Sequence, residues 1–234
     1  MILRRENFKW HSIILPILML GSLFGCQKTD TLSSKQEVLQ TQGWRNEYAV
    51  LKYLLPVLKK NDKVGRIYYS TFCHADEGYP NLFPKIDVQS PSRNVTGLAA
   101  VLHIFRGQQN IAVTETPPGI IRIRVGRVSD AVLQTRISSI TFSSIEQYNP
   151  SMAISALESS EDVHAAMNKL GIHVASRVTN LGIALPANGL PHLPGSLTNI
   201  TMDQALDLIA QTFGGVVIYS DCSKSHSFMV DFIR

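Results

Sequence analysis

Residues 197–234 read Leu-Thr-Asn-Ile-Thr-Met-Asp-Gln-Ala-Leu-Asp-Leu-Ile-Ala-Gln-Thr-Phe-Gly-Gly-Val-Val-Ile-Tyr-Ser-Asp-Cys-Ser-Lys-Ser-His-Ser-Phe-Met-Val-Asp-Phe-Ile-Arg. The punctuation is that of a helix, a stop, a strand, a turn and a strand. Thr201 and Gln204 have the spacing of a capping box, in which each side chain satisfies the other's backbone N–H. Met202, Ala205, Leu206, Ile209 and Phe213 then recur at helical spacing and make one apolar stripe. Gly214-Gly215 ends the helix, because glycine enters the left-handed conformation without a Cβ penalty. The β-branched and aromatic runs on either side of a short polar stretch predict two paired strands.

The same plan occurs once more. Residues 86–125 predict a strand, a helix with Leu98, Val101, Leu102 and Phe105 on one face, and two strands joined at Thr116-Pro117-Pro118-Gly119. In the second of those strands Ile121, Ile123 and Val125 alternate with Arg122 and Arg124, giving an apolar and a basic face. For the second copy, residues 181–185 are the candidate for the strand ahead of the helix. Two αββ-type units in a loose internal repeat predict an α+β fold of small sheets, each covered by helices.

Working outward, residues 44–60 are helical in pattern, with Pro56 expected to kink or end the helix. Residues 64–72 predict a strand and residues 73–85 a loop. Asn94 is the candidate cap for the helix that follows. Residues 137–143 predict a strand. Helical stretches follow from Asn149-Pro150 and from Glu161 to Gly171, then a strand within 172–184 and a Pro/Gly-rich loop over 185–195.

The first 25 residues differ in kind. Arg4, Arg5 and Lys9 precede an apolar run of about 12 residues, shorter than the ~20 that span a bilayer and suited to a signal-peptide core. The run ends in Leu23-Phe24-Gly25-Cys26, which resembles the bacterial lipobox. That resemblance implies cleavage before Cys26 and its lipidation; Gln27 after it implies the outer membrane. The segmentation expected is then a signal peptide at 1–25, a polar tether at 26–43, an N-terminal α+β module at 44–146 and a C-terminal one at 147–234.

Composition narrows the function classes. Hydrophobic residues make up 44% and charged residues 17%, a globular balance. Without residues 1–25 the chain keeps 19 basic and 17 acidic residues, too even to suggest nucleic acid. Cys73 and Cys222 remain beside Cys26 and form a candidate disulfide in an exported protein. Cys73-His74-Ala75-Asp76-Glu77 is the densest group of reactive types, but sequence neighbours rarely face one another as nucleophile and base must. Seven histidines are scattered, with no Cys-x-x-Cys or His-x-x-x-His pair, so no metal site, cofactor or catalytic set is expected. Arg122, Arg124, Arg127 and Arg136 form a local basic group, read as a solvated face or as a binder of glycan or nucleic acid.

Residues 200–219 resemble the short N-terminal domain shared by secretins and TonB-dependent receptors: an apolar strand end, a capped helix with Ala-Leu and further aliphatics, a glycine step, and a strand carrying an aromatic. In that family the module sits ahead of a membrane barrel or pore, whereas here it lies at residues 197–234. The resemblance implies a periplasmic docking fold that binds partners and brings no catalytic residues. The expectation is a non-enzymatic, lipid-anchored envelope protein that docks other envelope proteins and no nucleic acid. Candidate contacts lie on Ile121 to Val125, with Arg122 and Arg124, and on Phe228, Val230 and Phe232, both taken as edge strands open to strand addition. The alternatives are an envelope thiol enzyme using Cys73 and a basic glycan or nucleic-acid binder through Arg122 and Arg124.

Overall fold

The structure, a computed structural model, describes residues 52–70, 96–175, 189–222 and 225–234. The fold is α+β, with mixed sheets that do not close into a barrel. Helix α1 (52–60) leads into β1 (Val64–Ser70). Then come α2 (Gly97–Ile104), β2 (Ile111–Thr116), β3 (Ile120–Val125) and β4 (Arg136–Thr141). Helices α3 (Ser144–Tyr148), α4 (Pro150–Glu158) and α5 (Glu161–Leu170) precede β5 (His173–Val174) and β6 (Ser196–Thr201). The chain closes with α6 (Met202–Phe213), β7 (Val216–Cys222) and β8 (Ser227–Ile233). None of the described helices is long and apolar enough to cross a membrane.

Six strands form one sheet in the order β2-β3-β1-β7-β8-β5. β1 lies at its centre, parallel to β3 from Val64↔Ile120 to Tyr69↔Val125 and parallel to β7 from Gly65↔Val216 to Ser70↔Asp221. The two αββ units are therefore present as α2-β2-β3 and α6-β7-β8, but they share a sheet through β1. The 146/147 boundary falls inside α3, and the sheet draws strands from both sides of it.

Strand alternation sorts the side chains into two cores. Ile67 and Tyr69 of β1, Ile121, Ile123 and Val125 of β3, and Val216 and Ile218 of β7 pack with Leu54, Val57 and Leu58 of α1 and with Ala100, Val101 and Ile104 of α2. On the opposite face Tyr68, Val217, Tyr219, Phe228 and Val230 meet α4, α5 and α6. Beyond those helices lies the antiparallel ribbon of β4 and β6, which contributes Ile137 and Ile140 to the same core. The layers thus run helix, sheet, helix, ribbon.

The punctuation of α6 holds as read. Thr201 and Gln204 form the capping box, Gly214 is left-handed at φ 66°, and Met202, Ala205, Leu206, Ile209 and Phe213 are buried. Each of the four larger side chains contributes about 2 kcal/mol on burial, and the Ala205 methyl roughly 0.8 kcal/mol. Asn149 caps α4 ahead of Pro150, and Gly171 closes α5.

Several expectations are corrected. Pro56 does not end α1, which continues to residue 60 with Leu54, Val57 and Leu58 buried; one lost backbone bond is offset by that face. The strand that leads into α6 is 196–201, not 181–185, and its polar residues gain order by pairing with β4. α2 takes Thr96 as its N-cap residue and receives a remote cap, the Asn61 Oδ1 accepting from Gly97 N at 2.8 Å. Residues 44–51, 86–88, Asn94 and 176–185 lie outside the described residues. Among the described residues His173–Val174 represents the strand expected within 172–184.

Gly215 shows how close the packing is at the sheet's heart. A Cβ there would lie 2.5 Å from the Ile233 carbonyl oxygen and 2.5 Å from Phe232 Cζ. Gly215→Ala should therefore cost about 2 kcal/mol. Urea unfolding of the variant would show it as a lower midpoint at an unchanged slope; an unaltered midpoint would contradict the close approach.

Candidate functional site

The most highly organised group of charged side chains lies between the sheet and α6. Arg66 and Tyr68 on β1 and Arg122 and Arg124 on β3 point to the same face, since each pair is spaced by two. Asp203 and Asp207 are one helical turn apart on α6 and point back at them. Arg66 is fully buried. Its guanidinium donates to Asp203 Oδ1 at 2.8 Å, to the Asp203 carbonyl oxygen at 2.9 Å and to Asp207 Oδ1 at 2.5 Å. Arg122 donates to Asp203 Oδ2 at 2.8 Å and also to Asp207 Oδ2 and the Tyr68 hydroxyl oxygen. Tyr68 donates to Asp203 Oδ1 at 3.0 Å. The Arg66 and Arg124 guanidiniums stand 5.0 and 4.7 Å from the Tyr68 ring centre, within cation–π range.

Two cations and two anions balance, so the cluster carries no net charge to offer a ligand. Burial pushes the Tyr68 hydroxyl above its ordinary range, the Asp203 and Asp207 carboxylates adding to the shift while Arg66 and Arg122 oppose it. Tyr68 thus stays protonated and donating. Burial also raises the Asp207 carboxyl, more than Arg66 and Arg122 can offset. For Arg122 burial opposes the charge, yet Tyr68, Asp203 and Asp207 outweigh it and hold the guanidinium above its usual value. A carboxyl raised on folding favours the fold below its unfolded pKa and loses that contribution as pH rises through the folded value. Ionisation of Asp207 is therefore less favourable in the folded protein than in the unfolded chain. The cluster fixes geometry: it ties β1 and β3 to α6 in one register.

This arrangement sets where the sequence candidates stand. Arg122 is occupied within the cluster, and Arg124 pairs with Asp130 at 2.7 Å. Arg136 is on a different sheet and donates to Asn199 Oδ1 at 2.5 Å. The arginines therefore do not form one basic surface. β3 is not an edge strand, since β2 and β1 flank it. Phe228 and Val230 are buried in the core shared with α4 and α6, and Phe232 packs against it. β8 is flanked by β7 along its length and by β5 at Ser227 and Phe228, and no described strand pairs with its other side from Met229 to Ile233. Cys222 is buried and disulfide-bonded; Cys26 and Cys73, the other two cysteines, lie outside the described residues, as does the 73–77 cluster. Ser225 Oγ donates to Cys222 Sγ at 2.7 Å. Among the described residues no three His, Cys, Asp or Glu side chains gather as a metal site.

The sheet edges are a feature that residue-level reading missed. β4 turns the Ser138 N–H outward, and the Asp162 carboxylate caps it at 2.7 Å while also accepting from the Ser138 hydroxyl at 2.6 Å; the hydroxyl bond first and the N–H bond second hold the Asp162 pKa below its ordinary value. On β6, Asn199 is left-handed at φ 56° and the Thr201 N–H is taken by Gln204. Both devices block strand pairing. β2 differs. The Gly126 N–H donates to the Asn110 carbonyl at 2.7 Å, which with the register makes Ala112, Thr114 and Thr116 the ladder positions. Ile111, Val113 and Glu115 turn their backbone N–H and C=O away from the sheet.

No protein-family model matches the chain, and neither a curated protein nor a solved structure matches it.

The cluster generates a specific expectation. Asp203→Ala leaves Arg66 and Arg122 short of a counter-ion and should cost about 3 kcal/mol, whereas replacing Arg66, Arg122, Asp203 and Asp207 together by apolar residues of matched volume should be near neutral. Urea unfolding of both variants tests this. A mild single variant together with a non-folding quadruple one would contradict it.

Proposed function

We propose that the chain is a non-enzymatic envelope protein, tethered to the membrane through lipidated Cys26, that docks other envelope proteins by strand addition. The observation that carries the proposal is the β2 edge. β4 and β6 carry blocking groups, while β2 leaves Ile111, Val113 and Glu115 with outward backbone donors and acceptors. An extended segment of a partner can pair there, with main-chain bonds giving affinity and side-chain fit giving selectivity. Ile111 and Val113 pack partly against the α1–α2 core, so an incoming strand would extend an existing apolar face.

The resemblance of residues 200–219 to the secretin and TonB-receptor module, and of residues 23–26 to a lipobox, supports the same reading. The docking strand of this proposal is β2. The thiol-enzyme alternative draws no support from the described residues. The basic-binder alternative is weakened by the internal engagement of Arg122.

Val113→Pro tests the proposal, because it removes an outward N–H and leaves the β2–β3 ladder intact. The variant should fold, with circular dichroism and melting close to wild type, and should lose the envelope proteins that wild type captures by pull-down. Capture of the same proteins by the folded variant would contradict docking at β2.

A further inference from the structure

We propose that the outer layer formed by α1 and α2 faces an anionic membrane surface, with Lys52, Lys59, Lys60 and Arg106 against lipid headgroups; this rests on the tethered reading of Cys26. Both helices bury their inner sides in one core against the same sheet face, so their outer sides form one surface. The Asn61 side chain, which joins the end of α1 to the first N–H of α2, fixes them together.

That surface is one-sided in charge. Lys52, Lys59 and Lys60 are exposed on α1, and Arg106 is exposed just beyond α2. Among their described residues neither helix contains an acidic side chain. Among the described residues the exposed acid next to them is Asp62, one charge against four. Lys63 does not add to the group, being paired with Glu115 at 2.7 Å. Leu102 stands 47% exposed on α2 and supplies an apolar side chain among the cations. On the opposite side of the sheet, α3 and α5 carry Glu146, Glu161 and Asp162 against Lys169. An anionic plane would therefore orient the molecule with α1 and α2 toward it.

The tether supplies the second argument. Cys26 precedes the first described helix by 26 positions, so the anchor and α1 are near neighbours in sequence. α1 is the first described element after the anchor. A single lipid-bearing residue and a basic patch together hold a protein to an anionic bilayer better than either does alone. Lipid headgroups also fit better than nucleic acid or an anionic glycan. The cations are spread over two helices and the turn beyond α2, and the aromatic beside them, Tyr53 next to Lys52, is half-buried against the α1–α2 core, so among the described residues no fully exposed ring is there to stack on bases or sugars.

The test uses the full chain and two vesicle preparations, neutral phosphatidylcholine and phosphatidylcholine with about one-third phosphatidylglycerol. Anchor-driven binding is common to both, so the readout is the excess on the anionic vesicles. Wild type should bind those at least about tenfold more tightly, and the excess should vanish between about 0.05 M and about 0.5 M salt. The combined Lys52→Glu, Lys59→Glu and Lys60→Glu variant should lose the excess while keeping its circular dichroism; Lys169→Glu should keep it. Equal binding of wild type to both vesicles, or an excess that survives the triple substitution, would overturn the proposal. So would tighter binding to a soluble polyanion such as heparin that the triple variant leaves unchanged. Mass analysis of the Cys26 peptide reads acylation separately, so a missing lipid and a missing headgroup contact give different results.

Discussion

The fully buried guanidinium of Arg66 is the constraint around which the structure closes. A charge withdrawn from water has to meet its counter-ions inside the protein, and Asp203 and Asp207 supply them from 137 and 141 positions away. That requirement sets α6 across β1 and β3 at one angle and one register. Once α6 is placed, β7 follows from its glycine stop and lies alongside β1. The sheet then runs unbroken from β2 to β5. The apolar cores on its two faces provide most of the stabilisation, while the charge cluster selects the arrangement in which they form.

The same arrangement decides which surfaces are left for partners. Pairing of β1 with both β3 and β7 uses the strands that, read alone, present alternating faces suited to docking. What remains among the described residues is at the periphery and includes a ribbon whose edges are capped by Asp162 and by the left-handed Asn199, the β2 edge, and the α1–α2 layer with its lysines. The membrane-facing layer and the docking edge that we propose are compatible, because they use different residues.

Local chemistry was legible in the sequence wherever a single segment carried its own signal. The capping box and glycine of α6, the Asn149-Pro150 start of α4 and the Gly171 stop of α5 all specify backbone geometry within a few residues, and all are present. Relations between distant segments were not legible. Alternation in β3 says that Arg122 and Arg124 share a face, but only the approach of α6 makes that face internal. Ser196 to Thr201 are too polar to announce a strand without β4 opposite them. Arg66 gave a faint signal, a charge within an otherwise apolar and aromatic run, and Asp203 and Asp207 gave its complement as two acids one turn apart beside an apolar stripe. Reading these as partners requires knowing that β1 and α6 meet.

The central claim is that β1 joins the two αββ units into one cooperative body. Native-state amide hydrogen exchange of β1, β3 and β7 tests it most directly, because it reports the opening free energy of each strand. A joined sheet predicts that the ladder amides of β1 and β7, Ile67 and Ile218 among them, exchange only through one shared global opening. If β1 and β3 exchanged together at a clearly lower free energy than β7 and β8, the two units would be opening independently and the account would be wrong.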